Sequence, residues 1–181
     1  MKPNFLIVGA AKCGTTSMYQ YLSQHPDIFM PGWKEPSFFI GDPFKPLNRT
    51  TKTVYYKLFK GVKEEHASGE ASTAYLYDEA APKLIQKALG KIKIIILLRD
   101  PVNMSYSLYN HQVRKEGESI ESFEEALEAE EARLNDSSFK QNCYGWHANY
   151  YYFRRALYHD QVKRYWDTFG QNNIFIILFE M

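Results

Sequence analysis

The start of the chain constrains its fold more than any other segment. Phe5-Leu6-Ile7-Val8 is a short run of apolar residues, and it passes through Gly9-Ala10-Ala11-Lys12-Cys13-Gly14 into Thr15-Thr16-Ser17. A continuous apolar strand suits a sheet buried on both faces. The stretch that follows, about Thr15 to Ser23, has helical spacing. Small residues let backbone N–H groups approach an anion, and a helix start adds partial positive charge. Strand, small-residue loop and helix together predict a parallel sheet that binds its ligand beyond the carboxyl ends of its strands.

The rest of the chain repeats the alternation. Residues 26–52 carry Pro26, Pro31, Gly32, Pro36, Gly41, Pro43 and Pro46 and read as one long loop. A short helix is predicted over Thr53–Lys60, a strand and turn over Gly69–Tyr77, and a helix over Glu79–Leu89. Ile92 to Leu98 is the strongest strand. Asp100 then suits an N-cap and Pro101 a first helical position, for a helix running to about Lys115. Ser122 with Glu125 fits a capping box, opening a helix near 122–134 whose acidic face reads as solvated. Asn149–Phe169 reads as one long helix, rings inward and charges outward, and Ile174–Phe179 as a last strand. Alternating strands and helices predict an α/β fold: three layers, P-loop-like, with a central parallel sheet flanked by helices.

At 181 residues the chain reads as a single domain, 1–181. Its 22 Lys and Arg nearly balance 21 Asp and Glu, so no strong basic field argues for nucleic acid or an anionic membrane. Cys13 and Cys143 form neither a disulfide framework nor a zinc spacing. The first strand begins too early for a signal peptide to precede it, and Ile92–Leu98 is too short to cross a bilayer. The expected compartment is a reducing cytoplasm.

Gly9 and Gly14 have four residues between them, as in GxxxxGK[ST]. The position of that pattern's lysine is held by Thr15, and the lysine stands earlier, at Lys12. No aspartate other than Asp100 ends a strand where it would hold a metal, so a nucleotide-diester anion without metal fits better than ATP with Mg²⁺. A P-loop kinase-like nucleotide-binding protein is the competing reading. Arg99 ends the strongest strand and Ser107 lies on the next helix. A guanidinium and a hydroxyl so placed can converge on one phosphate.

Lys12-Cys13-Gly14-Thr15-Thr16 resembles the 5′-phosphosulfate loop of sulfotransferases that use 3′-phosphoadenosine 5′-phosphosulfate (PAPS), above all heparan-type glycan sulfotransferases and their bacterial relatives. Leu98-Arg99-Asp100-Pro101-Val102 through Tyr106-Ser107, with Ser122 to Leu127, resembles that family's 3′-phosphate segment. Lys34-Glu35-Pro36-Ser37-Phe38-Phe39 resembles its Lys-Glu-Pro-x-Phe-Phe segment. Gly69 to Tyr75 resembles a Glu-Lys-[Ser/Thr]-Pro-x-Tyr turn, with Ala71 in place of the lysine and Thr73 in place of the proline.

The resemblance implies sulfuryl transfer from PAPS, without metal, to a hydroxyl or amine of a glycan or small-molecule acceptor. The product would be 3′,5′-adenosine bisphosphate. Lys12 would stabilise the leaving phosphate. Cys13, Gly14, Thr15, Thr16 and Ser17 would hold the 5′-phosphate, and Arg99 and Ser107 the 3′-phosphate. Glu35 would be the base, supported by Lys34, with His111 near the acceptor. Family domains usually run beyond a strand equivalent to Ile174–Phe179. The expectation is therefore a domain without its usual C-terminal part, and a truncated, non-catalytic fold is a third reading.

Overall fold

The computed structural model describes residues 2–44 and 50–179. Five parallel strands form one sheet in the order β2-β3-β1-β4-β5: β1 Phe5–Gly9, β2 Ile28–Phe29, β3 Ala67–Ala71, β4 Lys93–Arg99 and β5 Ile174–Phe179. β1 lies between β3 and β4, with Ile7 opposite both Ala71 and Ile95, and every residue of it is buried. That position explains its unbroken apolar run: a strand with neighbours on both edges and cover on both faces meets no water. From β1 the chain moves outward to β2 and returns through β3. It then passes over β1 to β4. The direction of winding reverses at β1 and β4, which is where open α/β sheets leave a crevice beyond their carboxyl ends.

Helices flank the sheet in a three-layer α/β arrangement. α1 (Thr15–Ser23) packs over β1 to β3. α2 (Lys52–Lys57) is capped by the Thr51 side chain, which accepts from Val54 N–H. α3 (Ala81–Leu89) packs against α9 (Tyr158–Phe169), which also contacts β5. α4 (Pro101–Arg114) begins as the sequence predicts: the Asp100 carboxylate accepts from Asn103 N–H at 2.9 Å and Pro101 occupies the first turn. α4 packs on α8 (Tyr152–Ala156). Between them in sequence lie α5 (Phe123–Glu128), capped by Ser122, α6 (Glu130–Asn135) and α7 (Ser137–Asn142).

Four expectations are corrected. Residues 149–169 are not one helix: a 3-10 turn (His147–Tyr150), α8 and α9 are separated by non-helical backbone at Tyr151 and Leu157. Side chains satisfy the helix ends that these breaks expose. The Glu130 carboxylate accepts from Phe153 and Arg154 N–H at the start of α8. The Gln161 amide donates to the carbonyls of Arg154, Arg155 and Leu157 at its end. The 122–134 helix is likewise split at Ala129, and Glu130 is buried rather than solvated. The inward-ring pattern holds for Tyr150, Tyr151 and Tyr152 but reverses next to them. Phe153 is exposed, whereas Arg155 is buried against the Tyr77 and Trp146 rings. The long 26–52 loop contains the two-residue β2; Pro46 and the rest of 45–49 lie outside the described residues.

Candidate active site

The loop after β1 is anchored before it turns. Ala10 N–H donates to Leu97 C=O on β4 at 2.7 Å. A Cβ on Gly9 would stand 2.6 Å from the Cβ of Leu76, so only glycine lets the loop pass. Lys12 and Gly14 both take left-handed backbone angles, φ +61° and +81°. Gly14 is the N-cap of α1 and has no side chain to occupy the first-turn N–H groups, which leaves them to an external anion. Thr15 is buried beneath this turn and Thr16 is exposed above it.

A cleft of about 830 Å³ opens at the reversal point. The phosphate-type loop forms one wall, Arg99 the end of β4, and Lys34 and Glu35 the opposing rim. α4 contributes Ser107, His111 and Gln112 from one helix face, and its C-cap contributes Lys115. Among the described residues, four cations line the cleft, Lys12, Lys34, Arg99 and Lys115, against one carboxylate, that of Glu35. The Lys12 ammonium feels this crowding: burial, then repulsion from Arg114, Lys115, Arg99 and Lys34, lowers its pKa. Burial and the charges of Lys12, Lys115 and Arg114 lower that of His111 as well. An anion in this cleft would relieve the repulsion, so the field selects for negative charge.

Glu35 is held in an unusual backbone. Glu35 and Ser37 take φ +63° and +51°, a cost for residues with a Cβ that persists only where surrounding contacts impose it. Most of those contacts come from the end of β3 and the stretch after it. Glu35 N–H donates to Ala71 C=O at 2.9 Å, Ser37 N–H to Ser72 Oγ at 3.0 Å, and Phe38 N–H to Tyr75 Oη at 2.9 Å. The Glu35 carboxylate accepts from Thr73 N–H at 2.8 Å, from the Thr73 hydroxyl at 3.2 Å, and from Lys34 Nζ at 2.6 Å. A proline at 73 would supply neither Thr73 donor, so this chain's departure from the family pattern gives its carboxylate two partners.

The cleft brings together Lys12, Gly14, Thr15, Thr16, Lys34, Glu35, Arg99, Ser107 and His111 of the residues singled out in the sequence. Cys13 and Ser17 are not among the described residues that line it. Cys13 Sγ is buried at 3.8 Å from Tyr158 Oη, and burial pushes its thiol pKa up. Ser17 is exposed on α1. Lys115, Tyr144, Asn149 and Phe179 line the cleft without having been anticipated. Lys115 was within reach of periodicity, two turns beyond Ser107. Phe179 arrives through the pairing of β5 with β4 that sets it opposite Arg99, and no local pattern signals that. Among the described residues no three His, Cys, Asp or Glu gather as a metal site, and no helix is long and apolar enough to cross a membrane.

Comparison with known proteins agrees with this fold. A crystal structure of a sulfotransferase from Alicyclobacillus acidocaldarius matches with a TM-score of 0.86 and 42% identity, covering 99% of this chain and 74% of that one. The bifunctional heparan sulfate N-deacetylase/N-sulfotransferase 4 of Mus musculus is 35% identical over 118 residues, 61% of this chain and 13% of that protein. The membrane-associated sulfotransferase kil1 of Dictyostelium discoideum is 32% identical over 113 residues, 62% of this chain and 23% of that protein. The chain thus spans less than a quarter of the length of these two curated relatives. The family model for the sulfotransferase domain matches residues 2–181, and the chain belongs to that family.

Proposed function

We propose that the chain transfers a sulfuryl group from PAPS to a hydroxyl or amine of a glycan or small-molecule acceptor. The observation that carries this reading is the composition of the cleft among the described residues: four cations, a glycine-capped helix start and one carboxylate at the winding reversal of the sheet. A nucleotide with phosphate groups at two positions suits that distribution. Lys12 and the α1 N-terminus serve one anionic end, with Thr15 and Thr16 as hydroxyl donors. Arg99 and Ser107 serve the other. PAPS would supply the sulfuryl group: its sulfur–oxygen bridge to phosphate breaks as a bond to the acceptor forms, and the bisphosphate leaves with the electron pair.

The chain's own part is positioning and electrostatics. Lys12 neutralises the charge that develops on the departing phosphate oxygen. Glu35 takes the acceptor's proton. Its two oxygens already accept from Thr73 and Lys34, which fixes the carboxylate plane and leaves lone pairs for the incoming hydroxyl or amine. Lys34 balances its charge.

Calorimetric titration with 3′,5′-adenosine bisphosphate, without metal and beside 5′-AMP, tests the reading. At least a tenfold preference for the bisphosphate is expected, about 1.4 kcal/mol. Equal affinity for the two, or binding of ATP only with Mg²⁺, would overturn it in favour of a kinase-like nucleotide site.

A further inference from the structure

Glu70 lies outside the cleft lining, yet the base segment is built on it. It sits in β3 opposite Leu6 of β1 and is completely buried. A carboxyl group so placed is expensive, and burial pushes its pKa up to about 7. An apolar side chain would serve the sheet better, so the carboxyl group needs another explanation. Its contacts supply one. Glu70 Oε2 accepts from the Ser72 hydroxyl at 2.8 Å and Oε1 accepts from the Tyr55 hydroxyl of α2 at 3.3 Å. Tyr75, in the turn after β3, and Glu35 itself also act on it.

With its proton committed to Glu70, Ser72 Oγ presents lone pairs to the Ser37 N–H. That bond closes the left-handed turn at Ser37, two residues beyond the left-handed Glu35. The residue after Ser72, Thr73, is the one that holds the Glu35 carboxylate. We propose that Glu70 is a positioning residue for Glu35, acting through the Ser72 hydroxyl to lock the Glu35–Ser37 backbone against the turn after β3. The proposal rests on the reading of Glu35 as the base for its kinetic consequence, but its structural part stands apart from any turnover.

The test therefore has two arms. In the first, amide hydrogen exchange is followed by NMR in Glu70→Leu and Ser72→Ala, with Glu70→Gln as the conservative variant. Ser37 and Thr73 amides are expected to lose at least tenfold protection in Glu70→Leu and in Ser72→Ala, while amides of β1 and β4 keep theirs. Glu70→Gln, which retains one acceptor oxygen, is expected to restore part of that protection. Unchanged Ser37 and Thr73 amides in Ser72→Ala, or an equal loss throughout the sheet, would overturn the proposal. If Glu70→Leu does not fold, Glu70→Gln decides it, and Ser37 and Thr73 amides as protected there as in the parent would overturn the proposal.

In the second arm, kcat with PAPS is compared in Glu70→Gln, Glu35→Gln and the double variant, using a de-N-acetylated heparosan oligosaccharide and p-nitrophenol as acceptors. Action through Glu35 predicts a drop of about tenfold for Glu70→Gln alone and none further in the Glu35→Gln background. Independent, multiplying effects would overturn it. If Glu35→Gln retains full turnover, the base assignment fails while the exchange arm still judges Glu70.

Discussion

Gly14 and Phe179 meet face to face at the mouth of the cleft: a Cβ on Gly14 would lie 2.8 Å from the Phe179 ring. Gly14 is also at φ +81°, a conformation that costs a residue with a Cβ roughly 1–2 kcal/mol. Gly14→Ala is therefore strained twice, by its backbone and by the ring. The expected result is a fall in Tm of about 3–6 °C. Affinity for 3′,5′-adenosine bisphosphate should fall more than tenfold, because the first-turn N–H groups of α1 move with residue 14. Calorimetry and thermal melting read both. Affinity equal to the parent's would show that these N–H groups do not contact the nucleotide.

Much of this was legible in the sequence, and the reason differs by element. β1, β4 and α4 carry their own signals: an unbroken apolar run in a doubly flanked strand, and Asp100-Pro101 at a helix start. The phosphate-type loop was legible from its small residues and from the glycines at its two ends, Gly9 and Gly14. What stayed hidden depends on partners remote in sequence. At the break before α8, the exposed helix start is satisfied by the carboxylate of Glu130, from α6. Buried Arg155 needs Tyr77 and Trp146, and Glu35's geometry needs Thr73, 38 residues away. Spacing along one segment contains none of that.

Lys12 should separate binding from chemistry. Its ammonium is crowded by Arg114, Lys115, Arg99 and Lys34, so its removal relieves repulsion as well as deleting a contact. Lys12→Ala is expected to weaken bisphosphate binding less than about tenfold while lowering kcat by at least about a hundredfold, as for lost electrostatic stabilisation of a leaving group. Parallel titrations and single-turnover sulfation assays measure the split. Retained turnover in Lys12→Ala would remove its assigned role.

A largely buried ion pair ties the connection between α4 and α5 to α6. Arg133 donates two hydrogen bonds of 2.7 Å to the Glu118 carboxylate, whose second oxygen also accepts from the Tyr152 hydroxyl at 2.7 Å. Both side chains are nearly inaccessible. Removing one partner strands the other, so Arg133→Met should cost about 3–5 kcal/mol by denaturant unfolding. The double change Arg133→Met, Glu118→Leu should recover part of that loss. A double variant no more stable than Arg133→Met alone would place the value of the pair in attraction rather than in avoided burial of a lone charge.

Glu70 and Glu118 should give the protein opposing pH dependences. Burial works against the Glu118 carboxylate, but the Arg133 and Tyr152 hydrogen bonds and the Ile120 N–H hold its pKa below the ordinary value. The stability it contributes is present above that ordinary value and is lost as pH falls through the depressed one. Glu70 has the reverse sign. Its carboxyl group titrates near 7 in the folded chain against an ordinary value of 4.5, so between these the native state holds a proton that the unfolded chain has released. Stability from this group is complete below about 4.5 and declines as pH rises toward 7 and just beyond. The shift corresponds to roughly 3 kcal/mol at most, or several degrees of Tm. Glu70→Gln cannot ionise and should flatten the decline in Tm between pH 5 and pH 8, whatever it does to absolute stability. An unchanged slope in Glu70→Gln would mean that another group sets the alkaline side of the curve.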